Sequence, residues 1–155
     1  MPRPDPIPAF VMTHEMAAIW GRLGEDNVFL TGKAGTGKST VTQQFHATTK
    51  RQIAIVAPTG TAALNAGGVT VHSFFRFAPG IQPKEAAQIR PNQPELFQKL
   101  ECLVIDEASM VRADLLDCIE AFLRRNGPRP GQPFGGVAIM LVGDLYQLEP
   151  VCTPA

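Results

Sequence analysis

Eight consecutive residues, Gly32-Lys33-Ala34-Gly35-Thr36-Gly37-Lys38-Ser39, spell the pattern G-x-x-x-x-G-K-S/T, whose chemistry is the capture of a polyphosphate. Glycines let backbone N–H groups converge, and a helix that starts at the lysine adds unpaired amides and the positive end of its dipole. In such a cradle Lys38 reaches the β and γ phosphates of a nucleotide and the Ser39 hydroxyl binds magnesium (Mg2+). Gly32, Ala34, Gly35, Thr36, Gly37 and Thr40 complete the expected nucleotide-binding set. The competing reading is a glycine-rich turn into an ordinary helix.

That competitor loses weight because a second motif stands about seventy residues downstream. Leu103-Val104-Ile105-Asp106-Glu107 is an apolar strand that ends in two carboxylates, at the sheet end where α/β proteins meet their ligands. Asp106 is placed to hold Mg2+, directly or through water, and Glu107 to orient or deprotonate an attacking water. A solvated acidic strand end is the plain alternative for this stretch taken alone. A third block, Val142-Gly143-Asp144-Leu145-Tyr146-Gln147-Leu148, ends another apolar run. If its strand lies between the other two, Gln147 can touch the γ-phosphate; otherwise the block is a polar loop.

These groups need a scaffold. Four apolar runs bounded by turn residues, Val28 to Thr31, Ile53 to Ala57, Leu103 to Ile105 and Val137 to Val142, predict buried parallel strands. Helices are predicted over Phe10 to Leu23, with Thr13 as cap and Gly24 as stop, and over Lys38 to about Thr48. A short one follows Gly60 and ends at Gly67-Gly68, and Met110 to Arg125 carries Leu115, Leu116, Ile119, Phe122 and Leu123 on one face. Strands alternating with helices predict a three-layer α/β domain of the P-loop NTPase type with a mostly parallel sheet, the Val137 strand lying between the Val28 and Leu103 strands. Residues 1–9 read as a proline-rich tail and 10–155 as one domain. Within it, residues 76–97, broken by Pro79, Pro83, Pro91 and Pro94, read as an irregular surface insertion.

The chain of 155 residues is too short for two ordinary domains. Fourteen basic and fourteen acidic residues cancel, so no whole-molecule field advertises nucleic acid or membrane, and any nucleic-acid contact must come from local placement. Cys102, Cys118 and Cys152 form no C-x-x-C pair, which speaks against a disulfide framework and a zinc site and for a reducing compartment. No stretch approaches the roughly 18 apolar residues of a membrane span. The expectation is a soluble, cytoplasmic protein, nucleoid-associated if bacterial, with no membrane partner.

Four blocks in order carry a resemblance: Thr31 to Ser39, Ala57-Pro58-Thr59-Gly60-Thr61-Ala62-Ala63-Leu64-Asn65-Ala66-Gly67-Gly68-Val69-Thr70-Val71-His72-Ser73-Phe74-Phe75, Ile105 to Asp117, and Gly143 to Leu148. From about Thr13 to Val151 the chain closely resembles PIF-type helicases, which stand with RecD-like enzymes in helicase superfamily 1. The resemblance implies the first RecA-like motor domain of a DNA helicase that tracks single-stranded DNA from five-prime to three-prime, with ATP and Mg2+ as cofactors. It implies Lys38, Asp106, Glu107 and Gln147 as catalytic, Ser39 and Asp106 as metal ligands, and Pro58, Thr59, Gly60 and Thr61 as the DNA-facing segment. His72 stands beside the same groove, open to a DNA contact or a structural place, and Phe74 or Phe75 to base stacking or core packing. His14 and His46 are expected on helix surfaces. Where the family has an adenine-reading glutamine this chain has Thr13-His14-Glu15-Met16, so base selectivity is not implied, and Pro-Pro after the third block is Glu149-Pro150. The second RecA-like domain, with the arginines that complete the ATP site, is missing from residues 1–155, which are therefore expected to be a fragment or a truncated gene product that binds nucleotide and hydrolyses it feebly. A small-molecule P-loop kinase and a non-catalytic nucleotide- or DNA-binding module are the alternatives.

Overall fold

In a computed structural model, residues 3–33, 35–144 and 146 are described. Five strands form one sheet in the order β1-β5-β4-β2-β3, every neighbouring pair parallel. The strands are β1 (Val28–Thr31), β2 (Ile53–Ala57), β3 (Val69–Thr70), β4 (Cys102–Ile105) and β5 (Ala138–Gly143). β5 therefore lies between β1 and β4, as expected. The helices are α1 (His14–Trp20), α2 (Lys38–Thr48), α3 (Gly60–Ala66), α4 (Val71–Phe75), α5 (Pro83–Ala86), α6 (Pro94–Gln98) and α7 (Ala113–Asn126).

Side chains alternate across a strand, and here the alternation divides the core in two. Leu103, Ile105, Ala54, Val56 and Ile139 pack with Val71, Phe75, Phe97, Ile119, Phe122 and Leu123 beneath α4 to α7. Cys102, Val104, Ile55, Met140 and Val142 pack on the opposite face with Val41, Phe45 and Ala66 from α2 and α3, and with Met16 and Trp20 from α1. Apolar side chains thus cover both faces of the central strands, which is why β2, β4 and β5 read as unbroken apolar runs. β1 differs, because it is an edge strand: Val28 and Leu30 are half-buried while Phe29 and Thr31 are exposed.

Three expectations change. The first helix spans only His14–Trp20, although Thr13 does cap it, its hydroxyl accepting from the Met16 amide at 3.2 Å. Residues 76–97, expected as an irregular surface insertion, contain α5 and the start of α6 and bury Phe77, Ala86 and Phe97. Pro83 and Pro94 do not interrupt these helices; each opens one, where the missing N–H costs no intrahelical bond. His46, expected on a helix surface, is buried, because α2 turns it inward with Val41, Thr42 and Phe45. Its burial holds the imidazole below its ordinary pKa. His14 is exposed, as expected. Cys102 and Cys118 are buried free thiols, and burial pushes Cys102 up to about 12. No described helix is long and apolar enough to cross a membrane.

Candidate functional site

Register brings the motifs together. Thr31 at the end of β1 pairs with Gly143 at the end of β5, and Ile105 at the end of β4 pairs with Leu141. Chain leaving β1 and chain leaving β4 therefore emerge on either side of β5. Between them lies a cleft of about 330 Å³ lined by Gly35, Gly37, Lys38, Ser39, Thr40, Asp106, Glu107 and Gly143.

On one wall, Gly35 and Gly37 take φ of +78° and +88°, a region costly to any residue with a Cβ. Gly37 is the N-cap of α2 and has no side chain to satisfy its first amides, so the helix opens into the cleft with donors available to an anion. The Lys38 ammonium folds back onto the loop, donating to the carbonyls of Gly32 and, at 2.9 Å, of Lys33. The Thr36 hydroxyl donates to the Lys33 carbonyl at 2.8 Å. Ala34 lies outside the described residues.

On the other wall, Asp106 is 8% exposed. Burial raises its carboxyl above the ordinary aspartate range, opposed by the Glu107 amide, which donates to Asp106 Oδ1 at 2.9 Å, and by the charge of Lys38. Glu107 has φ +50°, a left-handed conformation that non-glycine residues adopt at a cost. Glu107 lines the cleft together with Asp106. Oxygen donors from Ser39, Asp106 and Glu107 suit a hard cation such as Mg2+. Among the described residues there is no cluster of three or more His, Cys, Asp or Glu side chains that could hold a metal ion.

Two residues of the third block, Gly143 and Asp144, were given no role of their own by the motif reading. A Cβ on Gly143 would stand 3.2 Å from the Ala108 amide nitrogen and 3.4 Å from that of Ser109, so the glycine lets β5 press against the turn that carries Glu107. Asp144 follows it, 6% exposed, its Oδ1 accepting from the Tyr146 amide at 3.0 Å. A carboxylate directly after an apolar strand was the available signal, as at Asp106. Gln147 lies outside the described residues.

The expected DNA-facing residues are elsewhere. Pro58, Thr59, Gly60 and Thr61 carry the chain from β2 into α3; the last three are exposed, and none lines the cleft. The Thr59 hydroxyl caps α3, accepting from the Ala62 amide at 3.2 Å. Ala57 pairs with Thr70 in β3, whose hydroxyl caps α4 in the same manner by accepting from Ser73 at 3.2 Å. His72 is half-buried on α4, where it lines a separate hollow with Ile81, Gln82, Arg112 and Leu115. Phe75 is core, 1% exposed, and Phe74 is half-buried.

Comparison with known proteins gives one answer throughout. A family model described as PIF1-like helicase matches residues 11–155. The chain is 38% identical over 134 residues to the ATP-dependent DNA helicase PIF1 of Saccharomyces cerevisiae, covering 81% of this chain and 16% of that protein. It is 37% identical over 145 residues to the human ATP-dependent DNA helicase PIF1, covering 90% of this chain and 22% of that protein. The chain therefore spans less than a quarter of the length of these curated relatives. Among solved structures it resembles Bacteroides Pif1 bound to single-stranded DNA, with TM-score 0.83, 43% identity, and coverage of 93% of this chain and 34% of that one. The Bacteroides Pif1 complex with ADP-AlF3 and single-stranded DNA gives the same TM-score at 42% identity.

Proposed function

The chain belongs to the PIF1-like helicase family, and from that footing we propose that it is the first RecA-like motor domain of an ATP-dependent DNA helicase that moves five-prime to three-prime on single strands. The observation that carries this reading is the convergence of Lys38, Ser39, Asp106 and Glu107 on one cleft at the carboxyl ends of adjacent strands. In this role Lys38 exchanges the carbonyls of Gly32 and Lys33 for β and γ phosphate oxygens. The Gly35 and Gly37 turn and the start of α2 receive the phosphates, with Gly32, Ala34, Thr36 and Thr40 around them. Ser39 and Asp106 hold Mg2+, whose contribution is to neutralise charge on the departing phosphate.

Glu107 orients and deprotonates the attacking water, and Gln147 senses the γ-phosphate. The DNA backbone runs over Pro58, Thr59, Gly60 and Thr61, with His72 beside it, where amides and hydroxyls at a helix start suit phosphates. The binding of ADP-AlF3 and single-stranded DNA by a Bacteroides relative supports both assignments. Movement needs a second RecA-like domain closing over the nucleotide. Such a domain also supplies arginines typically worth ~10³ to 10⁵ in rate, so residues 1–155 alone bind ATP and turn it over feebly. The test is the magnesium dependence of ATP affinity. Ser39→Ala should erase most of the difference between Mg-ATP and free ATP, and an unchanged difference would remove Ser39 from the metal site.

A further inference from the structure

Beyond the ATP cleft, at the β3 edge of the sheet, lies a second cavity of about 320 Å³. We infer that it receives one base of the bound single strand, with Phe74 as the stacking surface, the amides of Asn92 and Gln93 reading the base edge, and Arg76 meeting the adjoining phosphate. The inference rests on the single-strand reading above and adds to it a place where bases, not only phosphates, are held.

Four observations converge on that cavity. The Phe74 ring lines it and is fixed from behind, its centroid 4.9 Å from Phe75 and 5.2 Å from Phe97 in edge contacts. An immobilised ring stacks a base without losing side-chain freedom. Ser73, Arg76, Asn92 and Gln93 also line the cavity, and none of these side chains bonds to another described residue. Polar groups that neither pair with one another nor brace a loop are available to a ligand. Asn and Gln amides carry a donor and an acceptor side by side, the pairing that matches the edge of a nucleobase. Arg76 sits at φ +58°, a conformation that glycine would adopt freely and arginine does not. Arg76 closes α4 and lines the cavity, and its permanent charge suits a phosphate. Finally, α4 is capped by Thr70, which pairs with Ala57 immediately before the Pro58 to Thr61 segment, so the cavity continues the same sheet edge.

The experiment is fluorescence anisotropy of residues 1–155 with a labelled oligothymidylate and with a strand of equal length and charge whose central sugars lack bases. Removal of the bases should weaken binding roughly five- to hundred-fold, the range expected for one lost stack, and Phe74→Ala should abolish the difference between the strands. Because Phe74 also touches the core, Asn92→Ala and Gln93→Ala serve as exposed variants that keep the fold; each should shrink the same difference. Arg76→Gly should leave the melting temperature equal or higher while lowering the salt slope of binding by about 0.7, the release from one single-strand phosphate. A merely structural arginine would leave that slope unmoved. Equal binding of the two strands, or a difference that survives Phe74→Ala and Asn92→Ala, overturns the base pocket while leaving the backbone groove standing. Failure of the chain to bind either strand overturns both.

Discussion

Glu107→Gly separates stability from chemistry. Glu107 holds φ +50°, and a left-handed residue with a Cβ costs about 1–2 kcal/mol. Glycine removes that cost but adds about 0.5–1 kcal/mol of unfolded-state freedom. Glu107 makes no side-chain hydrogen bond or ion pair with another described residue, and the Glu107 amide bond to Asp106 is kept by any residue with an N–H. The net expectation is stabilisation by about 0–1.5 kcal/mol, or a melting temperature unchanged to about 6 °C higher for a domain of this size. Phosphate release should fall by about 10²-fold or to background, as for a lost general base, with ATP affinity kept. Glu107→Gln keeps the backbone conformation, so it should lose turnover without gaining stability. Differential scanning fluorimetry beside a phosphate-release assay reads both. A melting temperature lowered by more than about 2 °C in Glu107→Gly would refute the view that strain at this turn is maintained for catalysis.

Other perturbations follow from the same geometry. Burial raises the Asp106 carboxyl, so its ionised form opposes folding: the contribution of Asp106 to stability is fully present below the ordinary aspartate value and is lost as pH rises through the raised one. Asp106→Asn should therefore melt higher than wild type at pH 7, converge with it near pH 4, and lose magnesium-dependent ATP binding; a lower melting temperature at pH 7 would contradict this. His46 has the opposite sign for a cation, since its lowered pKa means the fold prefers neutral imidazole. Stability present above the ordinary histidine range should fall as pH drops from 7 toward 5, and His46→Gln should flatten that loss in thermal melts. Thr59→Ala with Thr61→Ala should weaken salt-sensitive single-strand binding and, through the lost α3 cap, cost roughly 1 kcal/mol of stability in urea titrations. Wild-type DNA affinity in that double variant would move the groove elsewhere.

That Lys38, Ser39, Asp106 and Glu107 would line one cleft was legible because each half of it is local: a glycine-rich strand-to-helix turn and a strand ending in carboxylates, each set within a few residues. The central strands were legible because apolar side chains on both faces leave unbroken apolar runs. β3 was not, being two residues long and running directly into α4. Prolines misled at 76–97, since Pro83 and Pro94 open helices and the burial of Phe77 and Phe97 depends on Phe75 and Phe122 across the core. His46 and the Phe74–Phe75 pair show the same limit. Which of two adjacent residues faces inward is decided by how a helix is rotated on the sheet, and that is a tertiary fact. The engagement of Lys38 with Gly32 and Lys33 carbonyls likewise depends on the folded loop.

Titration calorimetry of residues 1–155 with Mg-ATP, repeated with Lys38→Ala and checked for folding by circular dichroism, bears most directly on the central claim. Saturable binding by the natural chain and a loss of ten-fold or more in the variant is the expected result, since one charge-assisted contact to a phosphate is worth about 1.5–3 kcal/mol. Folded protein that shows no binding, or a Lys38→Ala variant that binds as tightly as the natural chain, would contradict it.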